Sequence, residues 1–574
     1  MKTICTFFLL MCASLCSLQA SPRKEVVLKI VETSDVHGHF FPYDFIQGKP
    51  AGGSMARVYQ YVTQQRRTYG DRLLLLDNGD ILQGQPSVYH ANYMDTTGVH
   101  FVADVLNYMQ YDAVTIGNHD VEAGPAVYHR WMRDTHCPVL GANVLNTETC
   151  KPALKPYHVF EREGVKIAVL GMITPAIPNW LPENLWPGLN FQPMVDCAKL
   201  WVPYIQEVEQ PDILIGLFHS GKTGQVVNGI IENASRLVAE QVPGFDLVLM
   251  GHDHQTADLR VTNPEGKEVL LLNPANNARY VAEATFTLTL EDGKVIDKQV
   301  AGQIVSTDAF APHAAFEARY ATRREVVEKF VSRPIGQISQ TISTRDAYFG
   351  SSAFVDLIHN LQLAISGAQV SFVAPLSFAA EIRQGTIHMS DMFNLYKFEN
   401  LLYVMNLTGQ EIKDYLEYSY DIWTVQMQSP DDPLFRLKKD DRGRTRFAYP
   451  SYNFDSAAGL RYTVDVRQPK GQKITIESLA DGSPFSLTQT YKVALNSYRG
   501  NGGGDLLTVG AGIPREELKS RVVWSTEKDL RFYLMKHIEK LGTLHPAPLH
   551  QWKFVPEDWA HSAAQRDRKL LFGR

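Results

Sequence analysis

Five short polar stretches carry side chains that can bind metal ions or move protons. They are Asp35-Val36-His37-Gly38, Asp77-Asn78-Gly79-Asp80, Gly117-Asn118-His119-Asp120, His219, and Gly251-His252-Asp253-His254. Together they offer carboxylate oxygen, amide oxygen and imidazole nitrogen. That mixture suits divalent first-row metals better than calcium or a thiolate-bound structural zinc. Taken singly, each has a plain explanation, because Asp and Asn after a strand are common turn formers and helix caps. The repetition of one pattern in one region is what points to chemistry.

The elements that must position these groups are short apolar runs: Val26–Val31, Leu73–Leu76, Ala113–Ile116, Ile167–Leu170, Ile213–Leu217 and Leu247–Met250. Continuous runs of this length suit strands buried on both faces between helices, as in α/β architectures. All but Ile167–Leu170 lead directly into a ligand-bearing stretch. In open α/β sheets, sites gather beyond the carboxyl ends of the strands, so these loops can converge.

The 574 residues exceed one ordinary core, and 44% hydrophobic with 21% charged residues is a globular composition. A net charge of −6 argues against a nucleic-acid polymer as partner. An anionic substrate would need a local countercharge, which bound metal can supply. The N-terminus, residues 1–20, reads MKTICTFFLLMCASLCSLQA, the layout of a secretory signal peptide. This predicts a periplasmic or secreted protein. Lipoprotein anchoring is disfavoured, because neither Cys12 nor Cys16 follows the usual small residue. No other segment is long and apolar enough to span a membrane. Outside the leader only Cys137, Cys150 and Cys197 remain, and Cys137 could pair with Cys150. Composition does not fix the oligomeric state.

Residues 25–305 form the region of strands and ligand loops, and 306–335 a connector in which Ala311–Val331 reads as a helix ended by Arg333-Pro334. A second, aromatic-rich α/β region covers 336–545, where Thr408-Gly409-Gln410-Glu411 is a capping box. Residues 546–574 mix prolines and charges and read as a tail.

In order and spacing the five stretches resemble the motif set of calcineurin-like metallophosphoesterases, specifically the 5′-nucleotidase family with its C-terminal nucleotide-binding domain. The resemblance implies a four-layer α/β/β/α sandwich, a connecting helix and a smaller α/β domain. It also implies two divalent ions (Zn, Mn, Fe or Co). Asp35, His37 and His254 would hold one, Asn118, His219 and His252 the other, and Asp80 would bridge them. Two anionic ligands leave the pair of ions a net charge of about +2, a match for a phosphate dianion. A metal-bridging hydroxide would attack phosphorus while His119 stabilises charge or assists the leaving group. His119 needs an orienting partner, and Glu122 and Asp120 are both candidates.

The resemblance also implies a nucleobase held between two aromatics. Tyr452-Asn453-Phe454-Asp455 and Asn496-Ser497-Tyr498-Arg499, the latter followed by Gly500-Asn501-Gly502-Gly503-Gly504-Asp505, supply candidates. Phe454 and Tyr498 are the expected pair and Tyr452 the substitute, with Asn453 and Asp505 as polar contacts. The family's phosphate-binding arginine has no direct counterpart, since Ala379 takes its place and Arg383 lies nearby. The expected activity is hydrolysis of nucleotide monoesters to nucleoside and phosphate. The same motifs also resemble the 2′,3′-cyclic-nucleotide 2′-phosphodiesterase/3′-nucleotidase branch, and UDP-sugar hydrolysis or non-catalytic nucleotide binding are further alternatives.

Overall fold

The computed structural model describes residues 23–573, apart from residues 225, 228, 441 and 442. The predicted leader lies outside the described residues.

Two six-stranded sheets face each other in the first domain. One runs Lys294–Ser306, Tyr280–Glu291, Lys24–Thr33, Leu73–Asp77, Ala113–Thr115, Val139–Leu140 across its width, with the last four parallel. The other has parallel Val165–Ile173, Ile213–His219, Leu247–Met250 and Glu268–Pro274 at its centre. The continuous apolar runs have a simple cause in the two-residue period of a strand. Leu74 and Leu76, Ile215 and Leu217, and Leu247 and Leu249 point between the sheets. Leu73 and Leu75 point to helices on the outside of the first sheet, and Leu214 and Val248 to helices outside the second. Both faces are covered, and the layers are helix, sheet, sheet, helix.

The connector is helix Ala314–Val331, whose first turn is capped when the His313 ring accepts from the Phe316 N–H. Its Phe316, Tyr320, Val327 and Val331 pack into the first domain. The second domain is built on a five-stranded sheet centred on Thr490–Asn496, with Val370–Val373 and Leu402–Thr408 beside it. Helix Gly409–Trp423 opens with the expected capping box, Thr408 and Glu411 exchanging hydrogen bonds.

One expectation is corrected, and one possibility the sequence leaves open is answered. The segment read as a C-terminal tail is folded over its described residues: strand Trp552–Val555 pairs in parallel with Leu460–Asp465, and helix Glu557–Phe572 follows. Trp552 and Phe554 pack edge-on against Tyr420 and Trp423, and Ala563 and Leu571 are buried in the same cluster, which ties the segment to the second core. Cys137, Cys150 and Cys197 are all free thiols, half-buried, exposed and buried respectively, so the suggested pairing of Cys137 with Cys150 is absent.

Candidate active site

Each ligand loop leaves the carboxyl end of a strand, and the loops meet at one edge of the sandwich. Asp35 follows Lys24–Thr33, Asp80 follows Leu73–Asp77, Asn118 follows Ala113–Thr115, His219 ends its strand, and His252 follows Leu247–Met250. Asp35, His37, Asp80, His252 and His254 all have positive φ, between 47° and 72°. Side chains avoid this left-handed region unless the surroundings over-determine it, and such strain concentrates at functional sites.

Two clusters result. In the first, ligand atoms of Asp35, His37 and His254 lie within 4.8 Å of one another; in the second, those of Asp80, His219 and His252 do. His37 Nε2 and His254 Nε2 stand 3.0 Å apart, and His254 Nε2 is 3.3 Å from Asp35 Oδ1. His219 Nε2 lies 3.2 Å from Asp80 Oδ2 and 3.1 Å from Asn118 Oδ1. Each cluster offers one carboxylate and two imidazoles, with Asn118 beside the second, and this N/O donor set fits a divalent first-row ion. Burial opposes ionisation of Asp35, but the hydrogen bond from His254 and the charge of His219 hold its pKa down to about 2. It is therefore an anion ready for a cation.

The layer beneath fixes these groups. Asn78 joins both sheets: its side chain donates to Glu32 Oε1 (2.8 Å) and the Phe218 carbonyl (3.0 Å) and accepts from Thr115 Oγ1 (3.0 Å). Its carbonyl accepts from His219 Nδ1 at 2.6 Å, which turns Nε2 toward Asp80. Gly79 and Gly117 touch backbone to backbone. A Cβ on Gly79 (φ 83°) would come within 2.5 Å of the Gly117 nitrogen, and one on Gly117 within 2.2 Å of Asp80 Oδ1.

His119 donates from two separate atoms. Its N–H donates to Asp80 Oδ1 at 2.8 Å, and its ring Nδ1 hydrogen-bonds Glu122. Burial would lower its pKa, but the carboxylates of Asp80 and Glu122 raise it to about 9. Asp120 does not contact the ring. It is fully buried and accepts from the backbone N–H groups of Gly117, Asp80, Ile81 and Leu82 at 2.7–2.9 Å, so it clamps two ligand loops together.

The site opens into a cleft of roughly 470 Å³ between the two domains. Asn118, His119, His252 and His254 line one wall, and Phe398, Tyr452 and Tyr498 line the other. Tyr452 stands nearly perpendicular to both Phe398 (82°) and Tyr498 (85°). Trp180 stacks on His252 at 5.5 Å on the first wall.

Phe454 is a correction. It has no exposed surface and stacks on Trp423 at 5.3 Å and 5° inside the second core, so it cannot face a base. Phe398 faces the cleft instead. Arg383 is also displaced from its expected role: its side chain is 87% exposed, pairs with Glu381 and does not line the cleft. Asn453 and Asp505 do not line it either. Asn453 accepts from Arg499 Nη1 at 3.2 Å, and Asp505 occupies a left-handed turn (φ 63°). The sequence did not reveal Arg499 as an organiser. Buried, it pairs with Asp455 at 3.1 Å and donates to the Tyr452 carbonyl at 2.8 Å, setting the Tyr452 and Tyr498 loops side by side. Gly503 fits against the Tyr498 ring, where a Cβ would approach to 2.5 Å.

A helix–sheet–sheet–helix sandwich with paired Asp/His clusters at the strand ends belongs to the metallophosphoesterase class. Residues 28–256 match the family model described as calcineurin-like phosphoesterase, and residues 334–509 match that described as 5′-nucleotidase, C-terminal domain. A trifunctional nucleotide phosphoesterase protein of Bacillus subtilis is 26% identical over 94% of this chain, which spans 39% of that longer protein. A 2′,3′-cyclic-nucleotide 2′-phosphodiesterase/3′-nucleotidase of Salmonella typhimurium is 24% identical over 92% of this chain and 89% of its own length. The crystal structure of a candidate 5′-nucleotidase from Staphylococcus aureus shares the fold with a TM-score of 0.75 at 20% identity, covering 92% of this chain and 100% of the other. The chain belongs to the two-domain 5′-nucleotidase family of calcineurin-like phosphoesterases. It is a hydrolase of phosphoric esters. Among the described residues, no helix is long and apolar enough to cross a membrane.

Proposed function

We propose that this chain is an exported two-metal enzyme that hydrolyses nucleotide phosphate monoesters to nucleoside and phosphate. One observation carries the reading: a single cleft sets the paired Asp/His clusters and His119 opposite Phe398, Tyr452 and Tyr498. The first wall suits a phosphate and the second a planar base, which stacks on aromatics whatever its identity. Export rests on the leader sequence.

Asp35, His37 and His254 would hold one ion, and Asn118, His219 and His252 the other, with Asp80 shared. Bound there, two divalent ions supply Lewis-acid stabilisation of phosphoryl oxygens and an ionised water at neutral pH. The protein's own part is positioning and proton transfer. With Nδ1 engaged by Glu122, His119 presents Nε2 to the cleft. As the water oxygen bonds to phosphorus and the ester P–O bond breaks, protonated His119 stabilises the developing charge and gives its proton to the leaving alkoxide. Glu122 orients the ring, and Asp120 holds the loops that carry it.

A second reading, cyclic-nucleotide phosphodiesterase with 3′-nucleotidase activity, is favoured by the position of Arg383 outside the cleft and by the Salmonella relative. A panel of AMP, 3′-AMP, 2′,3′-cyclic AMP and UDP-glucose, assayed with Mn²⁺ and with Zn²⁺, separates the readings. Phosphate release from AMP at the highest kcat/KM supports the first. Turnover of 2′,3′-cyclic AMP and 3′-AMP with little from AMP replaces it with the second. Nucleotide binding without metal or turnover would sink both.

A further inference from the structure

The cleft holds one cationic side chain that the hydrolytic scheme does not use. Lys397 lines it from the second domain, next to Phe398. The carboxylates of the lining are all engaged. Glu122 bonds His119, Glu232 lies 2.8 Å from His252 Nε2, and Asp253 accepts from Asn273 and the Lys222 N–H. Among the described residues Lys397 has no carboxylate partner, and its ammonium lies 5.5 Å from the centre of the Phe398 ring. The residue is exposed at the cleft, and the desolvation it does undergo lowers its pKa from the ordinary lysine value.

The segment that presents Lys397 is built rigidly. Buried Arg531 donates to the carbonyls of Tyr396 (3.1 Å) and Lys397 (2.7 Å), and its guanidinium is packed against the rings of Phe393 and Tyr89 at 4.2 and 5.0 Å. Its other pole faces Glu399 at 3.5 Å. A lysine fixed at its backbone, exposed on the cleft lining and without a carboxylate partner, across from a wall that offers its own phosphate site, is suited to a second anion.

We propose that Lys397 forms a second anion subsite, which binds the non-scissile phosphate of nucleotides carrying two separate phosphate groups. The inference rests on the nucleotide phosphoesterase reading and adds the substrate class that this wall selects. The test compares adenosine 3′,5′-bisphosphate with AMP and 3′-AMP on the metal-loaded full chain, wild type and the variants Lys397→Met and Lys397→Arg. In wild type the bisphosphate should have a KM at least about tenfold below that of either monophosphate, as expected for one charge-assisted hydrogen bond. Lys397→Met should erase this advantage, and Lys397→Arg should retain most of it. Equal KM values in wild type, or an advantage that survives in Lys397→Met, would overturn the proposal. A wild-type enzyme that turns over none of the three substrates gives a different result, the failure of the nucleotide reading itself.

Discussion

His119 shows how one side chain can serve structure and chemistry through separate atoms. Its backbone N–H belongs to Asp80, its Nδ1 to Glu122, and only Nε2 is left for a ligand. His119→Asn should therefore keep bound metal while kcat falls roughly 100-fold, checked by metal analysis beside phosphate-release kinetics. Metal loss in step with activity would assign it a structural role instead. His359 makes a different point. It is fully buried between Ser371 Oγ (2.9 Å) and Ser456 Oγ (3.3 Å), and burial drives its pKa down to about 3. The folded pKa lies below the unfolded one near 6.5, so the unfolded chain binds the extra proton first. Stability is then complete above about pH 6.5 and is lost as pH falls toward 3, by up to about 1.4 kcal/mol per unit. Urea unfolding between pH 7 and 5 should show a fall in stability toward acid, and His359→Gln should make that fall shallower.

At the scale of elements, two phenylalanines of the second domain separate binding from stability. Phe398→Ala should raise nucleotide KM about tenfold through lost stacking and leave unfolding nearly unchanged. Phe454→Ala should cost roughly 3–5 kcal/mol in unfolding, because it empties a packed position against Trp423. Paired kinetics and denaturant melts check both. This pair also marks the limit of what the sequence discloses. The sandwich is legible because strands buried on both faces must be continuously apolar, and the ligand loops are legible because Asp, Asn and His recur where those strands end. Nothing comparable distinguishes Phe398 from Phe454: both are aromatics beside polar residues, and only tertiary packing decides which one is covered. The C-terminal helix stayed hidden for a related reason. Its charged and apolar residues are nearly balanced in number, and Ala560, Ala563 and Leu571 make a narrow stripe that has meaning only against Trp552 and Phe554.

For the whole molecule, the proposed function leaves neither domain with a complete site of its own. Contacts around the cleft keep the walls facing each other: Tyr93 donates to Glu399 at 3.0 Å, and Arg515 to the Asn179 carbonyl at 3.3 Å. Tyr89 sits at the centre of the seam, 5.5 Å from Phe393 and under the Arg531 guanidinium, and it belongs to the same apolar cluster as the second domain's Ile358 and Leu534. Tyr89→Ala should loosen the seam, so that denaturation followed by Trp fluorescence separates into two transitions and nucleotide KM rises severalfold. A single transition at the wild-type midpoint would show that the domains are coupled elsewhere.

The contact of Gly79 with Gly117 reaches beyond the folded state. Two ligand loops from neighbouring strands meet where even a methyl group has no room, so both positions are closed to sequence drift for as long as the paired metal site is under selection. A descendant that abandons hydrolysis and keeps only the fold would be released from that constraint. A side chain at either position in a distant homologue therefore implies that these two loops have moved apart, readable from its gene before any protein is made.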